Sequence, residues 1–441
     1  GSTVTATAAG IVETNLSVSA GGAINIASTT NATKVAINTT TGDITYTDVD
    51  GFTVGAVGTI NGVDTNAGAV NLTATTGDIT VSNVTGDDVA ATTTVALIAA
   101  SDNAKITIAS GSNIASTGGA HTYSADDLDI VGTITATGQT VTLKSSTAGD
   151  AIDLGDSLGG GDNIANTLEL TDAELDLVTA GSIVVGASGA GAVTVTAAVS
   201  PLNAATLNLV SGSTVTATAA GIVETNLSVI AGGAVNIAST TNVTTVAINT
   251  TTGGITFTEA DGFTIGSLSG ATSIAATAGS VALTALTGAI TLPNNTPAND
   301  IDASGGVTVT AQDGFTVNGT ILSGAATVID ADSNNDGIGD FTIAASQSLT
   351  TMNNTLSITA NDITLTGTIN SGAGLTTILV SDGAGIGLGD TAGGLTLSGA
   401  ELQNITATGL VLGDVNSGSI TVNNISAANS NNITGTVTLN A

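Results

Sequence analysis

The chain alternates. A β-branched or aliphatic residue is followed by a polar or small one in runs such as AINIAS at 23–28, VAINT at 35–39, DITYT at 43–47, AVNLTA at 69–74 and DITVS at 78–82. Successive side chains of a strand point to opposite faces, so this period of two predicts strands with one buried and one solvated face. Each run is closed by Gly, Asn, Asp or Ser, which accept turn conformations or bond their own backbone. The runs return roughly every nine or ten residues, the spacing of all-β folds and solenoids. The i, i+3, i+4, i+7 pattern of a helix is missing. DAELDLV at 172–178 comes nearest, but it is short and lies between strand-like flanks, so no helix is expected there.

The pattern is also written twice. Residues 1–57 return as 212–268 without insertion or deletion, and eleven positions differ. Most exchanges are conservative: Ile24 becomes Val235, Tyr46 becomes Phe257, Val54 becomes Ile265. Apolar positions keep their character while most changes of polarity fall between them, as expected of a buried and a solvated face in a duplicated unit. Further on the copies drift and then realign. AELDLVTAGSIVVG at 173–186 is matched by AELQNITATGLVLG at 400–413, and AIDLGD at 151–156 by GIGLGD at 385–390. The offset rises from 211 to 234 and falls to 227, which places insertions in the central third. The chain therefore reads as two homologous β-helical modules, 1–211 and 212–441, the second carrying an acidic loop at 330–340.

Composition decides which all-β architecture fits. A string of β-sandwiches needs large core residues, often Trp or Phe. Here there are five Phe, two Tyr and no Trp, while Gly numbers 58. Small residues suit the thin, closely stacked layers of a parallel β-helix, at roughly 20 residues per coil. With mean hydropathy of +0.44 and only 9% charged residues, the chain can bury surface and is not a disordered one. Charge excludes whole classes of function. Asp and Glu number 35 against three cations, Lys34, Lys105 and Lys144, for a net charge of −32. Nucleic-acid binding needs cations for phosphates, and so does attraction to anionic lipid, so neither is expected. Divalent cations are the natural counter-charge. No apolar run is long enough to insert in a membrane. Without Cys there is no disulfide scaffold. The first residues lack a signal-peptide pattern and start at a repeat boundary, so the chain reads as a piece of a longer protein.

The recurring Gly-x-Ile/Val-x-Ile/Leu/Val beats in GGAINIAS, GAVNLTATTGDITV, GSITVNNI and AELDLVTAGSIVVG resemble the repeats of filamentous haemagglutinin-like bacterial exoproteins, β-solenoid surface adhesins. The resemblance covers nearly the whole chain. It implies a right-handed parallel β-helix, an extracellular or cell-surface location, and adhesive or structural work. The family's amino-terminal secretion domain is not recognisable here, and the family brings no catalytic motif. Two versions of the role follow. An adhesin would bind a glycan or cell-surface ligand through the divergent central thirds, about 84–150 and 295–385. A filament or surface-layer protein would self-assemble end to end or with further modules.

Candidate chemistry is sparse. DADSNNDGIGD at 330–340 spaces Asp332, Asn334, Asp336 and Asp340 around Gly337, with Asp330 just before. Alternating oxygen ligands about a glycine turn suit a hard cation, so Asp330, Asp332, Asn334, Asp336 and Asp340 are expected to hold a structural Ca²⁺. The pattern resembles the acidic calcium loops of dockerin-like and thrombospondin type 3-like repeats. It departs from an EF-hand, since the twelfth position counted from Asp332 is Ile343. GGGDN at 159–163 faintly resembles the glycine–aspartate turns of calcium-binding β-rolls, but those need tandem copies, so it reads as a flexible loop. Some β-helices degrade polysaccharides, which makes a polysaccharide-active enzyme the alternative function. Glycoside hydrolysis needs two carboxylates on one cleft, and nothing places the adjacent pairs Asp87–Asp88 and Asp126–Asp127 so. His121 is the only histidine and lies with Tyr123 in AHTYSA, an alternating stretch, and reads as a surface or coil-edge residue. No catalytic residue is assigned, and the chain is expected not to be an enzyme.

Overall fold

A computed structural model describes residues 1–7, 10–84, 86–155, 166–218, 220–294 and 300–441, apart from the side chains of residues 28, 29 and 240. The chain divides into two compact units, Gly1–Glu224 and Thr225–Ala441. Each is a parallel β-helix, as the alternation predicts.

Within the first unit, strands pair in register from coil to coil. One inward column runs Ile24, Ile44, Val70, Val95, His121, Val141, Ile183, Leu207. In the second unit the matching column runs Val235, Ile255, Val281, Val307, Thr327, Leu356, Thr376. Parallel pairing sets equivalent residues one strand spacing apart, about 4.8 Å, so each inward position packs on its own kind. That geometry is why Val, Ile and Leu suffice for the core. Coil length varies, and several coils are longer than the roughly 20 residues expected. The step from Ile44 to Val70 is longer than that from Ile24 to Ile44. The step from Val141 to Ile183 is longer still, because a long insertion leaves the coil there.

All seven aromatic side chains lie inside: Tyr46, Phe52, Tyr123, Phe257, Phe263, Phe315 and Phe341 are buried. Edge-to-face pairs recur at matching places, with ring centroids 5.0 Å apart for Tyr46–Phe52 and 5.1 Å for Phe257–Phe263. On the second unit, Phe263, Ile290, Phe315, Phe341 and Ile363 stack inward. The residues between, Thr264, Thr291, Thr316, Thr342 and Thr364, stack outward as a ladder of hydroxyls in the same register.

Glycines make the corners. At Gly77 φ is +78°, and a Cβ would lie 1.7 Å from the Asp50 carbonyl oxygen of the preceding coil, so no other residue fits.

The structure corrects the expectation of no helix. A one-turn helix α1 spans Asp172–Asp176, and its counterpart α2 spans Gly399–Gln403. Both start with a capping box, Thr171 with Glu174 and Ser398 with Glu401, which satisfies the free amides of the first turn. Around them the two units match strand for strand. Ala151–Leu154 pairs with Thr167–Leu170 and Val193–Val195. Ile386–Gly389 pairs likewise with Leu395–Leu397 and Ile420–Asn423.

Candidate functional site

Coil geometry gathers carboxylates that the sequence keeps apart. Three successive corners of the first unit follow the strands Val95–Ala99, His121–Ser124 and Thr133–Lys144. They carry Asp102, Asp126 and Asp150, evenly spaced along the chain, and one oxygen from each lies within 4.8 Å of the others. Asp102 is exposed, whereas Asp126 and Asp150 are 3% and 8% exposed.

Asp126 is wrapped by donors. It accepts bonds from the amides of Asn103, Ser146 and Thr147 at 3.0, 3.0 and 2.9 Å, and from the hydroxyls of Ser145, Ser146 and Thr147 at 2.7, 2.8 and 2.9 Å. Burial alone would raise its pKa, but the donors of Ser145, Ser146 and Thr147 outweigh burial and hold it at about 2. Asp150 moves the other way, raised first by burial and then by the charge of Asp126. Its hydrogen bond from Ser145 Oγ, at 3.2 Å, competes with the 2.7 Å bond to Asp126 for a single hydroxyl proton. Three carboxyl groups gathered so closely repel one another when charged, and a hard cation with oxygen ligands is the species that would relieve them. Sequence reading missed this trio. Its only signal is the even spacing, which means nothing until the coil register is known.

The loop at 330–340 is built differently. Asp332 is fully buried and accepts the amides of Asp336 and Gly337 at 3.2 and 3.1 Å, and also the Ser381 hydroxyl. Asn334 donates to Asp336 at 2.8 Å, and Asp340 accepts from the Asn361 side chain and the Asp362 amide at 2.9 and 3.2 Å. Asp330 stands on the strand Thr327–Asp330, and burial raises its pKa. The loop thus uses its carboxylates chiefly to fold itself and dock on the next coils. Among the described residues, the trio at Asp102, Asp126 and Asp150 is the one group of three acidic side chains brought so close; Asp330, Asp332, Asp336 and Asp340 do not bring three carboxylates together in that way. The GGGDN turn lies outside the described residues.

The other carboxylate pairs are also engaged. Asp88 is buried and accepts the amides of Val84 and Asn113 at 2.6 and 2.7 Å, while Asp87 takes the Asn113 side chain at 2.7 Å. Asp127 bonds to Lys105 at 3.2 Å. His121 is not at the surface: it is fully buried, its Nδ1 lies 3.0 Å from the Tyr123 hydroxyl, and burial lowers its pKa to about 4. In the second unit a shallow cavity of about 430 Å³ is walled by Ala275, Ala303, Ser304, Leu322 and Met352. Sugar-binding sites commonly offer an aromatic face, and every ring here is inside. No helix among the described residues is long and apolar enough to cross a membrane. Comparisons with protein families, curated proteins and solved structures gave no significant match.

Proposed function

We propose that this chain is a non-enzymatic β-helical repeat protein of the bacterial cell surface or secretion stream, of the filamentous haemagglutinin-like kind. It works as a scaffold, adhesive or built into an extracellular filament or surface layer. The observation that carries this reading is repetition of geometry. Two units reproduce the same parallel coil-on-coil pairing, the same edge-to-face aromatic pair and the same capped one-turn helix. Catalysis concentrates unusual groups at one place; here the same devices recur coil after coil. The outward ladder of threonine hydroxyls and the acidic corners are the surfaces such a scaffold offers to a glycan, a cation or another copy. Negative-stain electron microscopy of purified protein tests the assembly version. Fibres are expected for a filament protein, whereas particles that stay single at high concentration would remove it and leave the adhesive version.

A structural divalent cation belongs to the same proposal. Calcium is expected to raise the melting temperature. Loss of that rise in Asp150→Asn assigns the ion to the corner of Asp102, Asp126 and Asp150, and loss in Asp336→Ala assigns it to the 330–340 loop. A wild-type melting temperature indifferent to calcium and to chelator sinks the idea.

A further inference from the structure

The sole histidine lies where a histidine has no structural reason to be. His121 fills an inward position of the column between Val95 on one neighbouring coil and Val141 on the other. Both valines are buried, and Tyr123 is likewise enclosed between Leu97 and Leu143. His121 and Tyr123 satisfy one another at Nδ1 and the hydroxyl, and the second ring nitrogen, Nε2, is buried without a partner. One side of the neutral ring is therefore met and the other is buried and unmet.

We propose that His121 makes the first unit acid-operated: on protonation the strand His121–Ser124 leaves its two neighbours, and the coil opens at the corner that holds Asp126. A proton from solvent converts the ring to a cation with two N–H donors. Tyr123 accepts one of them, and the other points a charge into an apolar stack, which costs far more than a neutral orphan does. The two strands paired with it supply no counter-charge. The strands packed against His121–Ser124 are Val95–Ala99 and Thr133–Lys144, and neither carries a carboxylate. Tyr123 is the other titratable group of the strand itself. Lys144 is the charged residue on the neighbours, beside Ser124, and its like charge opposes an imidazolium. The ring meets water only if the ladder bonds on both sides break. The strand runs straight into the turn that sets Asp126 against Ser145, Ser146 and Thr147, so opening it also dismantles that corner.

The second unit contains no histidine and serves as an internal control in the intact chain. The sign is set by linkage. The folded form binds the proton less readily than the unfolded one, so stability is full above about pH 6.5 and falls as pH drops toward about 4. At pH 4 the opening equilibrium should have grown on the order of a hundredfold. The test is hydrogen exchange followed by mass spectrometry between pH 7 and 4 on the full chain, corrected for intrinsic exchange rate. Protection in residues 95–144 is expected to collapse while 255–292 keeps its own, and His121→Val, which completes the valine column, is expected to abolish the collapse. The same loss in His121→Val overturns the proposal. Should that variant not fold, the single imidazole resonance of the wild type decides by itself: titration near pH 6.5 with no loss of protection refutes the device, and an unprotonated ring down to the pH of opening supports it.

Discussion

At the level of single residues, the two copies of the opening segment show how a buried carboxyl group is kept. Asp48 is fully buried and accepts the Ala32 amide at 2.9 Å, the Tyr46 hydroxyl at 2.6 Å and the Asp50 amide at 3.1 Å. In the second copy Tyr46 becomes Phe257, and the lost hydroxyl coincides with a longer acid, Glu259. Glu259 reaches the matching amides of Val243 and Asp261 at 3.2 and 2.6 Å. The exchanges are coupled. Tyr46→Phe alone should cost about 1–3 kcal/mol in chemical denaturation, because a buried carboxylate loses a donor. Tyr46→Phe with Asp48→Glu should recover most of that loss, and simple additivity of the two would contradict the coupling. Asp126 offers a second check. Its pKa is depressed to about 2, so it stabilises the fold above the ordinary carboxylate range, and that contribution fades as pH falls from about 4 to about 2. Asp126→Asn should lower stability by about 2–3 kcal/mol at neutral pH and flatten the acid side of the profile. Sequence could not foretell either site. In AHTYSA both parities hold polar residues, so alternation alone does not say that His121 and Tyr123 face inward. The stacking of Tyr123 on Leu97 and Leu143 does.

Strands were legible because period two survives any coil length, whereas the helices and the register were not. Capping boxes were present in the letters, Thr171 to Glu174 and Ser398 to Glu401, but helices of little more than one turn are too short to show a period. Their glutamates reach beyond the helix. Glu174 also accepts the Ile130 amide at 3.0 Å, and Glu401 accepts the Leu365 amide at 3.1 Å. Each therefore ties a helix to the neighbouring coil. Glu174→Ala should cost about 1–2 kcal/mol, read as lost exchange protection around Ile130, with the region of Leu365 unaffected. Register explains the shifting offset between the copies. The link from Leu154 to Leu168 in the first unit is twice as long as its counterpart from Leu388 to Leu395, and that difference accounts for the fall from 234 to 227. The rise from 211 to 234 matches the addition of one further coil in the second unit. The steps from Val235 to Ile255, from Ile255 to Val281 and from Thr327 to Leu356 all differ in length, which hides such an insertion from any fixed-period reading.

For the molecule as a whole, charge is the unbalanced quantity. Thirty-five acidic residues face three lysines, and Lys105, between Asp127 and Asp129 at 3.2 and 3.8 Å, cannot offset the excess. Self-repulsion should weaken the folded state at low ionic strength. Screening shortens to about 10 Å at 0.1 M salt, so the melting temperature is expected to climb as sodium chloride rises from a few millimolar to that range. A melting temperature that stays flat or falls over that interval would show that repulsion among the acidic residues does not dominate.

The complete burial of the rings has an optical consequence. The chain has no tryptophan, and its two tyrosines, Tyr46 and Tyr123, both belong to the first unit. Tyrosine emission therefore reports the unfolding of Gly1–Glu224 alone, while far-ultraviolet circular dichroism sums both units. Where the two melting curves separate, the interval between them measures how independently two near-copies of one sequence come apart, with no label added.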